Sequence, residues 1–267
     1  MSYRVIDIIG IMEEIAPPHL AEPWDNVGLL VGSRQSPVHR IMVTLDVTAD
    51  VIREAADKKV NLIISHHPVL FQPIKSVTDS TFAGSQISAL LRSEISVYTA
   101  HTNFDKAKGG TDDILAALLE LENVHPLAMD SESPSFGRIG RLPDKLPLKI
   151  YLNQVKRALN ADRVDYIGNP EKPIGIVASC AGAGGDFIQA AQKAGADLYV
   201  TGEAKYHEML PVMDGSMAMA VVGHYTTEYP AMAALKQRLQ NKLHALQYNI
   251  DIIPSEDYGN SFRRLRE

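Results

Sequence analysis

Short, continuous apolar runs alternate with segments of helical spacing along this chain, and that alternation narrows the folds open to it. Residues 40–46 and 60–65 read as buried strands. Between them lies a helix over 49–59, capped by Thr48 or a neighbour. Fully apolar strands on either side of a helix suggest a parallel crossover unit. A helix over 85–93, a third strand over 95–100 and a helix over 111–122 continue the pattern. Ahead of them, Val5, Ile8, Ile9, Met12 and Ile15 give a helix that Pro17-Pro18 stops, and the polar loop 22–26 leads into the apolar segment 27–31. Residues 130–147 combine acids, prolines and small residues and read as an irregular connection or a change of domain. Beyond them come a helix over 152–159, strand 173–179, helix 187–194, strands 197–201 and 217–222, helix 229–243 and strand 248–254. The fold class expected is α/β.

Composition removes several functions. The 267 residues are long enough to bury a core without disulfide or metal staples, so a metal here would serve chemistry rather than folding. Cys180 is the single cysteine, which excludes an intrachain disulfide and a thiolate-rich structural zinc site. A net charge of −6 disfavours nucleic acid as the main ligand but leaves a small phosphorylated substrate open. No apolar run reaches the ~18 residues of a membrane span, and Met1-Ser2-Tyr3-Arg4 does not open a signal peptide. The expected location is the cytoplasm.

Chemistry concentrates where strands end, the edge at which ligands gather in α/β folds. Ser65-His66-His67-Pro68 follows one buried strand. Neighbouring residues of an extended backbone point to opposite sides, so two adjacent histidines do not easily chelate one ion. They can serve two ions a few Å apart if the chain turns, as Pro68 encourages. His101-Thr102-Asn103-Phe104-Asp105 follows a second strand, and if the strands are neighbours, His101 and Asp105 arrive beside His66 and His67. His224 and Glu228 follow a third, at a spacing that places both on one helix face. Each motif alone has an ordinary reading as exposed loop histidines, a turn-capping acid or a chance pair; the conjunction is what points to metal. Imidazole with carboxylate suits zinc, manganese, iron or nickel. Two lesser features remain. The run Gly182–Gly185 reads as a tight strand-to-helix turn rather than an anion-binding loop, and Glu203 and His207 read as surface-loop residues that could also support the site.

In order along the chain, Pro23-Trp24-Asp25-Asn26-Val27-Gly28-Leu29, the double histidine, His101 to Asp105, Thr201-Gly202-Glu203 and Gly223 to Glu228 resemble the Nif-three-like dinuclear metal-centre family. Its members are often labelled GTP cyclohydrolase 1 type 2 homologues. The resemblance runs from about Val5 to Pro254. It implies that His66 and His67 bind different ions, that Asp105 joins the first and His224 the second, and that Glu228 bridges both. It further implies two α/β lobes with mixed sheets and the two divalent ions in the cleft, and commonly a ring-shaped homohexamer. Glu203 stands where an Asp is frequent. The first lobe is then discontinuous, residues 1–123 and 222–267, with 124–221 inserted as the second.

Two function classes emerge. In the first, the centre activates water for hydrolysis, with His101 transferring protons and a small molecule, by the family label a nucleotide such as GTP, as substrate. In the second, the same ligands store, deliver or sense a metal without catalysis.

Overall fold

The computed structural model describes residues 3–130 and 133–256. They form two compact units, one of residues 3–107 with 232–256 and the other Lys108–Ala231. Among the described residues, no helix is long and apolar enough to cross a membrane.

The core sheet of the first unit runs, in spatial order, Asp251–Pro254, Arg40–Thr44, Leu62–Ser65, Ser96–Thr99 and Gly28–Val31. The first four strands are mutually parallel and the last is antiparallel. Helix Ala49–Asp57 makes the crossover, started by the Thr48 side chain, which accepts from the amide of Val51. Helix Phe82–Arg92 makes the next, with Thr81 capping it in the same way. Met42, Ile63 and Val97 meet Val51, Ile52, Ile87 and Leu90 in one buried cluster, so the apolar runs are strands because helices cover them. Register sets where these strands stop. Thr44 lies opposite Ser65, and Ser65 opposite Thr99, so three neighbouring strands end level with one another.

Among the described residues, the second unit's sheet orders Asp165–Ile167, Ala218–Val221, Leu198–Glu203, Pro173–Ala183, Arg138–Pro147 and Glu122–Pro126. Its three inner strands from 173 to 221 are parallel and the flanking ones antiparallel, a mixed sheet. Val177, Leu198 and Val200 face one cluster with Leu148, Tyr151 and Leu152. Ala178, Cys180 and Tyr199 face another with Ile188 and Val212. Successive residues thus go to opposite covered faces. The class is α/β, as expected.

Several elements depart from the sequence reading, four of them instructively. Residues 138–147 are not an irregular connection but a strand, whose register breaks between Arg141 and Leu146. Pro143 falls in that break, where a residue without an amide hydrogen is tolerated. The helix expected over 111–122 stops at Leu118, because Glu120 takes a left-handed φ of 57° and strand Glu122–Pro126 begins. His207, read as part of a surface loop, lies on a helix over Tyr206–Met213 that forms despite Pro211. The long helix begins at His224, not at 229.

Candidate metal centre

Level strand ends deliver the first donor set. Beyond Ser65 the chain bends, yet the sheet bonding continues: the His66 amide donates to Thr44 O at 3.2 Å and the His67 amide to Leu45 O at 2.9 Å. The bend brings both imidazoles to one side, with ring centroids 5.1 Å apart. From the adjacent strand end, His101 reaches the same place, 5.1 Å from the His66 ring and 5.6 Å from that of His67. One ring nitrogen from each of the three lies within 4.8 Å of the others. One turn on, along helix Thr102–Lys106, Asp105 sets Oδ1 3.4 Å from His66 Nε2.

Each of these histidines is held from behind. His66 Nδ1 is 3.0 Å from the carbonyl of Ala100. His67 Nδ1 is 2.7 Å from Asp46 Oδ1. His101 Nδ1 is 2.9 Å from Asp25 Oδ1. A carbonyl or carboxylate oxygen at Nδ1 assigns the proton to that nitrogen and leaves Nε2 as the lone-pair end. Burial opposes ionisation of Asp25, but hydrogen bonds from His101 and Thr102 outweigh it and hold the carboxyl down at about 2.

The second donor set belongs to the second unit. Strand Ala218–Val221 is followed by Val222 and Gly223, and the φ of 106° at Gly223 turns the chain into the helix that starts at His224. His224 Nδ1 is 3.2 Å from Glu203 Oε2, and its Nε2 is 3.1 Å from Glu228 Oε2 on the same helix face. The end of strand Pro173–Ala183 walls this pair closely. A Cβ at Gly182 would stand 2.2 Å from Glu228 Oε1 and 3.3 Å from His224 Nε2. The Gly-rich run is a tight turn: the amide of Gly182 donates to Thr227 Oγ1 at 3.0 Å and that of Gly184 to Thr201 Oγ1 at 3.1 Å. Those amides are consumed internally, which argues against an anion cradle.

The donor chemistry fits a metal. Four imidazoles carry an oxygen acceptor at Nδ1, and two of them set Nε2 against a carboxylate oxygen. A lone pair facing an anion calls for a cation between them. Nitrogen and carboxylate oxygen together match borderline and harder divalent ions.

The structure thus brings His66, His67, His101 and Asp105 together in one unit and His224 with Glu228 in the other. Glu203 orients His224, while His207 is exposed on helix Tyr206–Met213. Sequence reasoning gave no role to Asp25 or Asp46. Each is an acid in a loop beside a strand end, a signal too common to single out before its histidine is known.

The family model described as Duf34/NIF3 (NGG1p interacting factor 3) matches residues 3–260. A Clostridium acetobutylicum protein named GTP cyclohydrolase 1 type 2 homolog is 35% identical over 260 residues, 96% of this chain and 97% of its own. A Clostridium perfringens protein of the same name is 33% identical over 262 residues, 97% and 98% of the two chains. A solved Bacillus cereus protein related to NIF3 has a TM-score of 0.93 over 99% of this chain and 100% of its own, at 24% identity, a likeness of fold.

Proposed function

Because this chain belongs to the Duf34/NIF3 family, we propose that it is a metal-dependent hydrolase of a small molecule, with a nucleotide such as GTP as the first substrate to try. In this reading His66, His67, Asp105, His224 and Glu228 hold two divalent ions of the zinc, iron, manganese or nickel type in one centre. The observation that carries it is the repeated support of each imidazole at Nδ1, which aims Nε2 at a common need for a cation. The relatives' printed name, a cyclohydrolase homolog, supports the choice of reaction class. Divalent ions in such a centre supply Lewis acidity, which makes water a better nucleophile and steadies developing negative charge.

The protein's own groups do the rest. Asp25, ionised at neutral pH, fixes His101 with its Nδ1 proton turned away and Nε2 available. His101 Nε2 then accepts the proton of the attacking water as oxygen bonds to the substrate carbon. Asp25 stabilises the imidazolium, which returns the proton to the departing nitrogen as the carbon–nitrogen bond breaks.

Elemental analysis of the purified protein beside a His66→Ala/Glu228→Ala double variant, followed by a nucleotide screen with the metal found, tests the proposal. We expect metal in the wild type, its loss in the variant, and turnover that tracks the metal. Bound, exchangeable metal without turnover of any nucleotide would favour the metal-handling reading instead. A cytoplasmic location and a ring of six subunits accompany the proposal, and sedimentation of the purified protein tests the ring.

A further inference from the structure

The hydrolase reading leaves unused an aromatic wall beside the first unit's histidines. Trp24 is 59% exposed and Phe71 48%, although residues of this size ordinarily bury their rings. The two are not scattered surface residues. Their ring centroids lie 6.0 Å apart with planes at 67°. Trp24 is 6.5 Å from the His101 ring at 75°, and Phe71 is 6.3 Å from it at 82°. Three rings therefore stand nearly perpendicular to one another, and the third belongs to the imidazole cluster.

Neighbouring contacts anchor the chain beside both exposed rings. Asp25, next to Trp24, takes hydrogen bonds from His101 and from the amide and hydroxyl of Thr102. The Asn26 side chain donates to the carbonyl of Leu70, next to Phe71, at 2.5 Å, tying one loop to the other. Exposed aromatic faces that sit on an anchored chain and touch one another edge to face are suited to stacking, since part of the ordering cost is met before a ligand arrives. A planar conjugated ring is the ligand that gains most from such faces; a sugar or an alkyl chain offers them no π surface.

We propose that Trp24 and Phe71 form a stacking platform that presents a planar heteroaromatic ring, of the nucleobase type, to the His66, His67 and His101 cluster. The inference rests on the hydrolase reading for what happens to that ring, but not for its binding.

Trp24 is the only tryptophan of the chain, so its emission reports on the platform directly. The full-length protein, as purified and again after chelation, would be titrated with GTP, inosine, ribose 5-phosphate and inorganic triphosphate, exciting at the red edge of the tryptophan band. GTP and inosine should change the emission saturably, and ribose 5-phosphate and triphosphate should not. By equilibrium dialysis, Trp24→Ala and Phe71→Ala should each weaken inosine binding roughly tenfold, the scale of one lost stacking contact. Trp24→Phe should keep most of the affinity. Equal responses to ribose 5-phosphate, or unchanged inosine affinity in both alanine variants, would overturn the platform. So would an emission change that tracks protein concentration instead of ligand, which would make the wall a contact between copies. Purine binding without turnover would sink the hydrolase and leave the platform standing. Turnover of GTP at wild-type KM in Trp24→Ala would do the reverse.

Discussion

Asp25 shows how much of this site depends on side chains that touch no reacting atom. Its side chain is wholly buried, and three donors from His101 and Thr102 converge on it. Desolvation alone would raise its pKa, but the hydrogen bonds reverse the sign and take it from an ordinary 3.8 to about 2. A carboxyl depressed in the folded state stabilises the fold above its unfolded pKa. That contribution fades as pH falls through the folded value, here between about 4 and 2. At about 1.4 kcal/mol per pH unit, the contribution at neutral pH is on the order of 2 kcal/mol. Asp25→Asn should therefore lose urea stability less steeply than the wild type across that window, while being weaker at pH 7. Under the proposed mechanism its turnover should also fall with metal content unchanged, because Asn still accepts from His101 but cannot stabilise an imidazolium. Parallel acid-unfolding curves for the two proteins would show that the buried carboxylate carries no such energy.

Elements matter here through their ends. The strand Pro173–Ala183 closes on the first turn of the helix His224–Ala245, and Gly182 is where they meet. Its φ is 62°, and a methyl group there would press Glu228, which is almost fully buried. Gly195 has a similar φ of 76°, but a methyl group there would have nothing within 4 Å, so it isolates the backbone effect. Gly195→Ala should lose about 1–2 kcal/mol of stability and keep its metal. Gly182→Ala should lose at least as much and also lower metal content, since Glu228 must move. Equal metal content in the two variants would mean that Glu228 yields without consequence. The same contrast between middles and ends governs what the sequence reveals. The buried middles of strands 40–44, 62–65, 96–99 and 218–221 announce themselves as apolar runs, and the histidines after the last three are legible for that reason. Strand Arg138–Pro147 was not, because Pro143 and its exposed charged neighbours look like a loop until an antiparallel partner supplies the register. The start of the long helix was misplaced for a related reason. Pro230 suits a first turn, yet here it lies inside the helix, where it removes one backbone hydrogen bond. The pairings of the histidines with their supports are not written locally: Asp25 and His101 are 76 residues apart and Asp46 and His67 are 21 apart, while Glu203, a candidate support in the sequence, is tied to His224 only by the fold.

At the scale of the whole chain, the polypeptide leaves the first compact unit after residue 107 and returns to it at 232, so each unit owns only part of the proposed ligand set. His66, His67 and Asp105 belong to one and His224 and Glu228 to the other. If all five serve a single centre, metal binding is linked to the folding of both units at once. A ligand that binds only the folded state stabilises it by RT ln(1 + [L]/Kd), about 2.7 kcal/mol at a hundredfold excess over Kd. Calorimetry should then show one concerted transition for the metal-loaded protein, and chelation should lower its midpoint and allow the transition to broaden or split. Single variants separate this from two independent half-sites. His66→Ala changes only the first unit and Glu228→Ala only the second. With a shared centre, either one should abolish most of the metal-dependent shift for the entire protein, and the two losses should not add in the double variant. With independent half-sites, each variant would keep about half of the bound metal and the double variant would lose the sum. Additive losses would remove the single centre, and the proposed hydrolysis would have to be rebuilt on the His66, His67, His101 and Asp105 cluster alone.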